Sequence, residues 1–151
     1  MLDKISKRIL NEVQNDGRIS NVELSTRVNL SPAACLERVR KLQEQHYILG
    51  YTAQLNPELL DVALMVFIEV VLDRTTHDAM NIFKAAVQVR PEILECHLVA
   101  GGFDYLIKPR VADMAGYRGF VGSVIWGLPG VRETRTYAVM EEVKNTTMLP
   151  I

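Results

Sequence analysis

Nine residues, Leu64-Met65-Val66-Phe67-Ile68-Glu69-Val70-Val71-Leu72, constrain the fold of this chain more than any others. β-Branched and aromatic side chains dominate the run, which marks it as a strand. Its apolar side chains fall on both faces: Leu64, Val66, Ile68, Val70 and Leu72 on one, Met65, Phe67 and Val71 on the other. An antiparallel strand with one wet face alternates apolar and polar residues. This one is therefore expected to be covered twice, by helices of its own chain on one side and by a second subunit on the other.

The residues that follow supply the helices. A helix is expected with Ala79, Ile82, Phe83, Ala86 and Val87 on its apolar side. Ile93 to Ala100 reads as a second strand, Gly101-Gly102 as a turn, and Phe103 to Val111 as a third strand. Asp113 is placed to cap a further helix carrying Met114, Tyr117, Val121, Val124 and Ile125. Leu128-Pro129-Gly130 ends it, and Val131 to Val139 is the fourth strand. The order β-α-β-β-α-β is the ferredoxin-like arrangement, an α+β sandwich with both helices on one face of the sheet. Pro109 stands inside the third strand, where a missing N–H is costly, so that strand is expected to end early or to carry a bulge.

The first third of the chain has a different period. Leu2, Ile5, Ile9 and Val13 recur at helical spacing, with Leu10 beside them. Asn15-Asp16-Gly17 stops the pattern, and Gly17 can take the left-handed conformation that ends helices. Ser20 and Glu23 form a capping box for a second helix carrying Leu24 and Val28. Ser31 caps a third helix, with Pro32 at the first position, where its missing N–H costs nothing. On that helix Cys35, Leu36, Val39 and Leu42 share one face; Ala33, Ala34, Glu37, Arg40 and Lys41 share the opposite one, and Arg38 lies on the flank. The result is a helix-turn-helix of the winged type, with the third helix as the reader of a DNA major groove. Ser20, Ser31, Ala33, Ala34, Arg38, Arg40 and Lys41 are the candidate DNA contacts. The plainer alternative is a three-helix packing unit with a solvated charged face.

Residues 1–50 hold 8 Lys/Arg against 6 Asp/Glu and the rest hold 9 against 12, so the front carries +2 and the rear −3 within a net charge of −1. A uniformly basic nucleic-acid binder is excluded, and two jobs in two domains are expected. The domains are set at 1–50 for the helix-turn-helix, 51–61 for a linker strand and 62–151 for the sandwich. The short strand itself reads from Ile48 to Leu55. No apolar run is long enough to span a membrane, and Met1-Leu2-Asp3-Lys4 does not open a signal peptide, so a cytoplasmic location is expected. Cys35 and Cys96 read as plain thiols in separate elements, Cys35 being buried. Cys96 and His97 are adjacent on a strand, point to opposite faces and do not make a metal pair. His46 and His77 read as exposed, and His97 as packed or hydrogen-bonded. No phosphate loop, dinucleotide fingerprint or nucleophile elbow is present, so neither an enzyme nor a cofactor is indicated.

Several stretches in order carry a resemblance. They are Leu2-Asp3-x-Ile5, Asp16-Gly17-Arg18-Ile19-Ser20, Leu30-Ser31-Pro32 with Cys35-x-Glu37-Arg38-Val39, and Gly50-Tyr51-Thr52-Ala53. Glu95-Cys96-His97-Leu98-Val99, Phe103-Asp104-Tyr105-Leu106, Leu128-Pro129-Gly130-Val131 and Val139-Met140-Glu141-Glu142-Val143 continue the series. Together they resemble the leucine-responsive regulatory protein/AsnC family of transcription regulators, most of all its leucine- and alanine-responsive members. The resemblance implies homodimers that assemble further, often to octamers, around which double-stranded DNA can wrap. It implies a small amino-acid effector, leucine, alanine or similar, bound by the second domain. Matched position by position, the effector residues are Leu98, Gly101, Gly102, Asp104, Met114, Tyr137, Ala138 and Val139. In that reading Asp104 holds the ammonium group, the amides around Gly101 and Gly102 meet the carboxylate, and Leu98 and Met114 hold the side chain.

The chain departs from its near relatives at Ala33, where they usually carry a hydroxyl, at Ala34, where they often carry Pro, and at Gly102, where they tend to be acidic. It is also expected to lack the basic N-terminal arm of some relatives. Two alternatives share the architecture: a sirohaem-type tetrapyrrole decarboxylase, and a DNA-compacting protein whose amino-acid site is idle. Asp104 also has a purely local reading, as a turn residue whose carboxylate caps nearby amides.

Overall fold

A computed structural model describes residues 2–73 and 78–151. The chain divides into two units, residues 1–54 with 144–151, and residues 55–143. The last eight residues thus fall with the helices of the first unit and not, as expected, with the sandwich.

In the first unit α1 (Lys4–Asn15), α2 (Asn21–Val28) and α3 (Pro32–Glu44) enclose Ile9, Leu10, Leu24, Val28, Cys35 and Leu42. Side chains of this size stabilise by about 1.5–3 kcal/mol each when fully buried. Ser20 and Ser31 cap α2 and α3 as expected, and Asn29 closes α2 in the left-handed conformation. Three details differ. Gly17 does not take a positive φ; α1 ends on an extended Asp16, whose carboxylate accepts from the Arg18 amide. Gly17 answers a space constraint instead, because a Cβ there would come within 3.2 Å of the Tyr51 ring. Glu23 does not reach back to complete the capping box; its carboxylate pairs with Arg27 one turn on. Leu36 is not in the buried stripe but 56% exposed.

The expected strand from Ile48 to Leu55 does not form. A strand needs a neighbour to satisfy its backbone groups, and among the described residues no other segment pairs with it.

The second unit has β1 (Leu64–Leu72), α4 (Ala79–Gln88), β2 (Ile93–Leu98), β3 (Tyr105–Val111), α5 (Met114–Phe120) and β4 (Val131–Ala138). The sheet is antiparallel in the order β2-β3-β1-β4, with β1 and β3 central. Strands β2, β3 and β4 are each shorter than expected, the first two because residues 99–104 form the connecting turn. Val66, Ile68, Val70 and Leu72 of β1 meet Phe83, Ile107, Phe120 and Ile125 in the core. Ile82 lies outside that core and is exposed. Asp113 caps α5 through the Ala115 and Gly116 amides, and a single π-helical turn, Val121–Ile125, follows it. Pro109 stays within β3 and is buried; the bulge falls on β2, whose register shifts between Ile93 and Glu95. Gly130, at φ +75°, makes the turn into β4.

The opposite face of the sheet is more polar than β1 alone suggests. Met65, Phe67 and Val71 share it with Leu106, but its neighbours include the Lys108–Glu95 and Arg110–Glu142 ion pairs. Cys96 packs on the core side, while His97 is exposed and 3.2 Å from Glu95. His46 is exposed, and His77 lies outside the described residues.

Candidate nucleic-acid interface and effector site

The exposed side of α3 carries most of the expected DNA contacts. Ala33 and Ala34 leave its first turn unobstructed, and both are exposed. The Ser20 and Ser31 hydroxyls accept from the Glu23 and Ala34 amides at 3.1 and 3.3 Å. Each hydroxyl can still donate its own O–H, beside a helix N-terminus that favours anions. Arg40 is exposed and makes no ion pair among the described residues. Lys41 lies 3.5 Å from Glu37 on the same helix, an exposed pair of little strength.

Arg38 is engaged elsewhere. Its guanidinium donates to the Asp3 carboxylate at 2.7 Å and to the Ser6 hydroxyl at 3.3 Å, tying α3 to the cap of α1. The Ser6 amide, then Arg38, holds the Asp3 carboxyl down at about 2. To meet a phosphate, Arg38 has to leave this partner. The Cys35 thiol is buried in the same unit, and burial pushes its pKa up, away from reactivity.

In the second unit only three of the eight expected effector residues come together. Gly101, Gly102 and Asp104 line a cavity of about 240 Å³ with Val71, Leu72, Phe103 and Arg132. Nothing lies within 4 Å of a Cβ built at either glycine, so a ligand can approach that backbone closely. Asp104 is 4% exposed, and its carboxylate accepts from the Leu72 amide at 2.8 Å. Its own amide donates to the Val70 carbonyl. The carboxylate therefore fixes the 99–104 turn to the end of β1, the local role.

The other five do not line this cavity. Leu98 ends β2 and Met114 opens α5, both more than half exposed. Tyr137 faces Phe67 across the strands and donates to Glu69 at 2.9 Å. Ala138 pairs with Val66, and the Val139 amide donates to the Met65 carbonyl.

Arg132 is the residue that sequence reasoning missed. It lines this cavity and an adjoining hollow shared with Gly102, Phe103, Glu69 and Glu133, and makes no ion pair among the described residues. Its only sequence signal is a cation two residues past Pro-Gly, which means nothing until the sheet register sets β4 beside β1 and the 99–104 turn. Among the described residues no three His, Cys, Asp or Glu gather as a metal site. No helix among them is long and apolar enough to cross a membrane.

Residues 65–149 match the Lrp/AsnC ligand binding domain, and residues 2–48 a winged helix-turn-helix DNA-binding domain. The chain is 59% identical over 150 residues to the leucine-responsive regulatory proteins of Salmonella typhimurium and Escherichia coli K12, covering 99% of this chain and 92% of each relative. A transcriptional regulator of Neisseria meningitidis, solved as its L-methionine complex, superposes with a TM-score of 0.94 at 39% identity, covering 99% of this chain and 97% of that one. An AsnC family regulator of Agrobacterium tumefaciens gives 0.93 at 28% identity, with the same coverage.

Proposed function

The chain belongs to the Lrp/AsnC family of transcription regulators, and from that premise we propose that a small amino acid bound in its second unit sets how its helix-turn-helix holds DNA. The observation that carries this reading is the cavity of about 240 Å³ where Arg132 faces the open backbone of Gly101 and Gly102. A guanidinium and free amides suit an α-carboxylate. Glu133, in the adjoining hollow, has the right sign for the ammonium group. Asp104 positions the turn. Leu98, Met114, Tyr137, Ala138 and Val139, which do not line the cavity within one chain, enter the site from a second subunit.

DNA is held by the first turn of α3, by Arg40 and Lys41, and by the Ser20 and Ser31 hydroxyls at helix ends. Effector and DNA communicate by linkage: the ligand binds one assembly state better and shifts the population toward it. The working form is a homodimer assembled further, to an octamer in this reading, in the cytoplasm and without an enzymatic reaction. The relatives' names make leucine the first effector to try, and the Neisseria complex adds methionine.

The test is calorimetric titration of leucine, alanine and methionine into the full chain, repeated on Arg132→Gln. One amino acid is expected to bind, and the variant to bind it roughly tenfold more weakly, since a hydrogen bond to a charged group is worth about 1.5–3 kcal/mol. Absence of heat from all three at high protein concentration overturns the effector reading; equal affinity in the variant removes Arg132 from the site.

A further inference from the structure

α1 carries two polar side chains that neither its capping nor the DNA surface explains. Gln14 makes a reciprocal pair with the backbone of Leu149: its side-chain oxygen accepts from the Leu149 amide at 2.6 Å, and its side-chain nitrogen donates to the Leu149 carbonyl at 3.2 Å. One turn earlier, the Asn11 side-chain nitrogen donates to the Ile151 carbonyl at 3.4 Å. A side-chain amide that satisfies both backbone groups of one residue does what a neighbouring strand does, and reads an extended peptide without regard to its side chains. Apolar contacts supply the rest. Met148, Leu149 and Ile151 share a cavity of about 610 Å³ with Leu10 and Val13 of α1 and with Tyr51. No helix or strand holds residues 144–151, and these contacts tie Leu149 and Ile151 to α1.

We propose that the outer face of α1 is a peptide-docking groove whose occupant is the chain's own segment Thr147–Ile151, with Gln14 as its recognition residue. The groove selects an extended segment with apolar side chains, placed on the DNA-reading unit and outside the effector cavity. The proposal is independent of the effector reading, because it uses no residue of the second unit.

Proteolysis of the full chain tests it. A protease can cut only a segment whose backbone is free to enter its cleft, so docking protects residues 145–149. Proteinase K cleavage there, followed by mass spectrometry, is compared in the native chain, Gln14→Ala and Gln14→Glu. Two ordinary hydrogen bonds are lost in Gln14→Ala, and the cut is expected to be roughly tenfold faster. Gln14→Glu keeps an acceptor for the Leu149 amide but no donor for its carbonyl, and should fall between. Alanine is the strongest helix former, and an unchanged circular-dichroism spectrum checks that α1 persists. Equal cleavage rates in the three chains overturn the proposal.

Discussion

Asp104 and Asp3 show how differently two carboxylates of one chain are used. Asp104 is buried, accepts the Leu72 amide and orders the turn that carries Gly101 and Gly102. Asp104→Ala is expected to destabilise the second unit by about 1–3 kcal/mol, the cost of leaving a buried amide unpaired. Asp104→Asn keeps an acceptor and should recover most of that; urea unfolding of the pair decides it. Sequence favoured a carboxylate after Gly-Gly for either a turn or a ligand. The register that sets residue 104 beside Val70 and Leu72 adds the turn contacts, which the sequence alone does not show. Asp3 is exposed, caps α1 by accepting from the Ser6 amide and is paired with Arg38, with its carboxyl lowered from 3.8 to about 2. A depressed carboxyl stabilises the fold above its ordinary pKa and loses that contribution as pH falls through the depressed value. The native chain and Asp3→Asn are therefore expected to differ in thermal stability above about pH 4 and to converge near pH 2. A difference that persists unchanged at pH 2 contradicts the pairing.

α3 shows how far helical periodicity alone can be taken. At about 100° per residue, Cys35, Val39 and Leu42 centre a narrow stripe, with Leu36 about 90° to one side and Arg38 about 65° to the other. Arg38 is thus nearer the stripe than Leu36, which matches its half-buried place on Asp3 and the exposure of Leu36. Counting apolar residues as one face concealed this; weighing their angles shows it in the sequence. Leu42→Ala is expected to cost about 2–5 kcal/mol and Leu36→Ala to stay within about 0.5 kcal/mol. Comparable losses at both positions in chemical denaturation contradict this orientation of α3. The strands were legible from β-branched content, and Pro109 announced an irregularity. That the bulge falls on the neighbouring β2 depends on pairing, which composition does not encode. The segment from Ile48 to Leu55 has strand-like composition but no partner here, and its Leu49 is 90% exposed.

At the scale of the molecule, the outer sheet face and the five candidate effector residues that do not line the cavity are what the proposed second subunit would cover. Phe67 sits mid-face on β1, between Tyr137 on β4 and the ion pairs of β2 and β3. If that face meets a second subunit, Phe67→Glu is expected to lower the mass measured by light scattering while leaving the circular-dichroism spectrum intact. An unchanged mass moves the interface elsewhere. The order of elements and the two-part charge balance were readable from the sequence because each rests on local patterns. Arg132 and the docking of the last residues on α1 were not, because both depend on contacts between segments distant in the chain.

Linkage between effector and DNA is read from DNA affinity with and without the amino acid that binds, on a DNA fragment selected for tight binding, at one fixed salt concentration. A saturating effector is expected to change the dissociation constant by roughly 5–150-fold, the usual range of coupling between sites, and DNA to change effector affinity by the same factor. An amino acid that binds the chain and leaves its DNA affinity unchanged overturns the linkage.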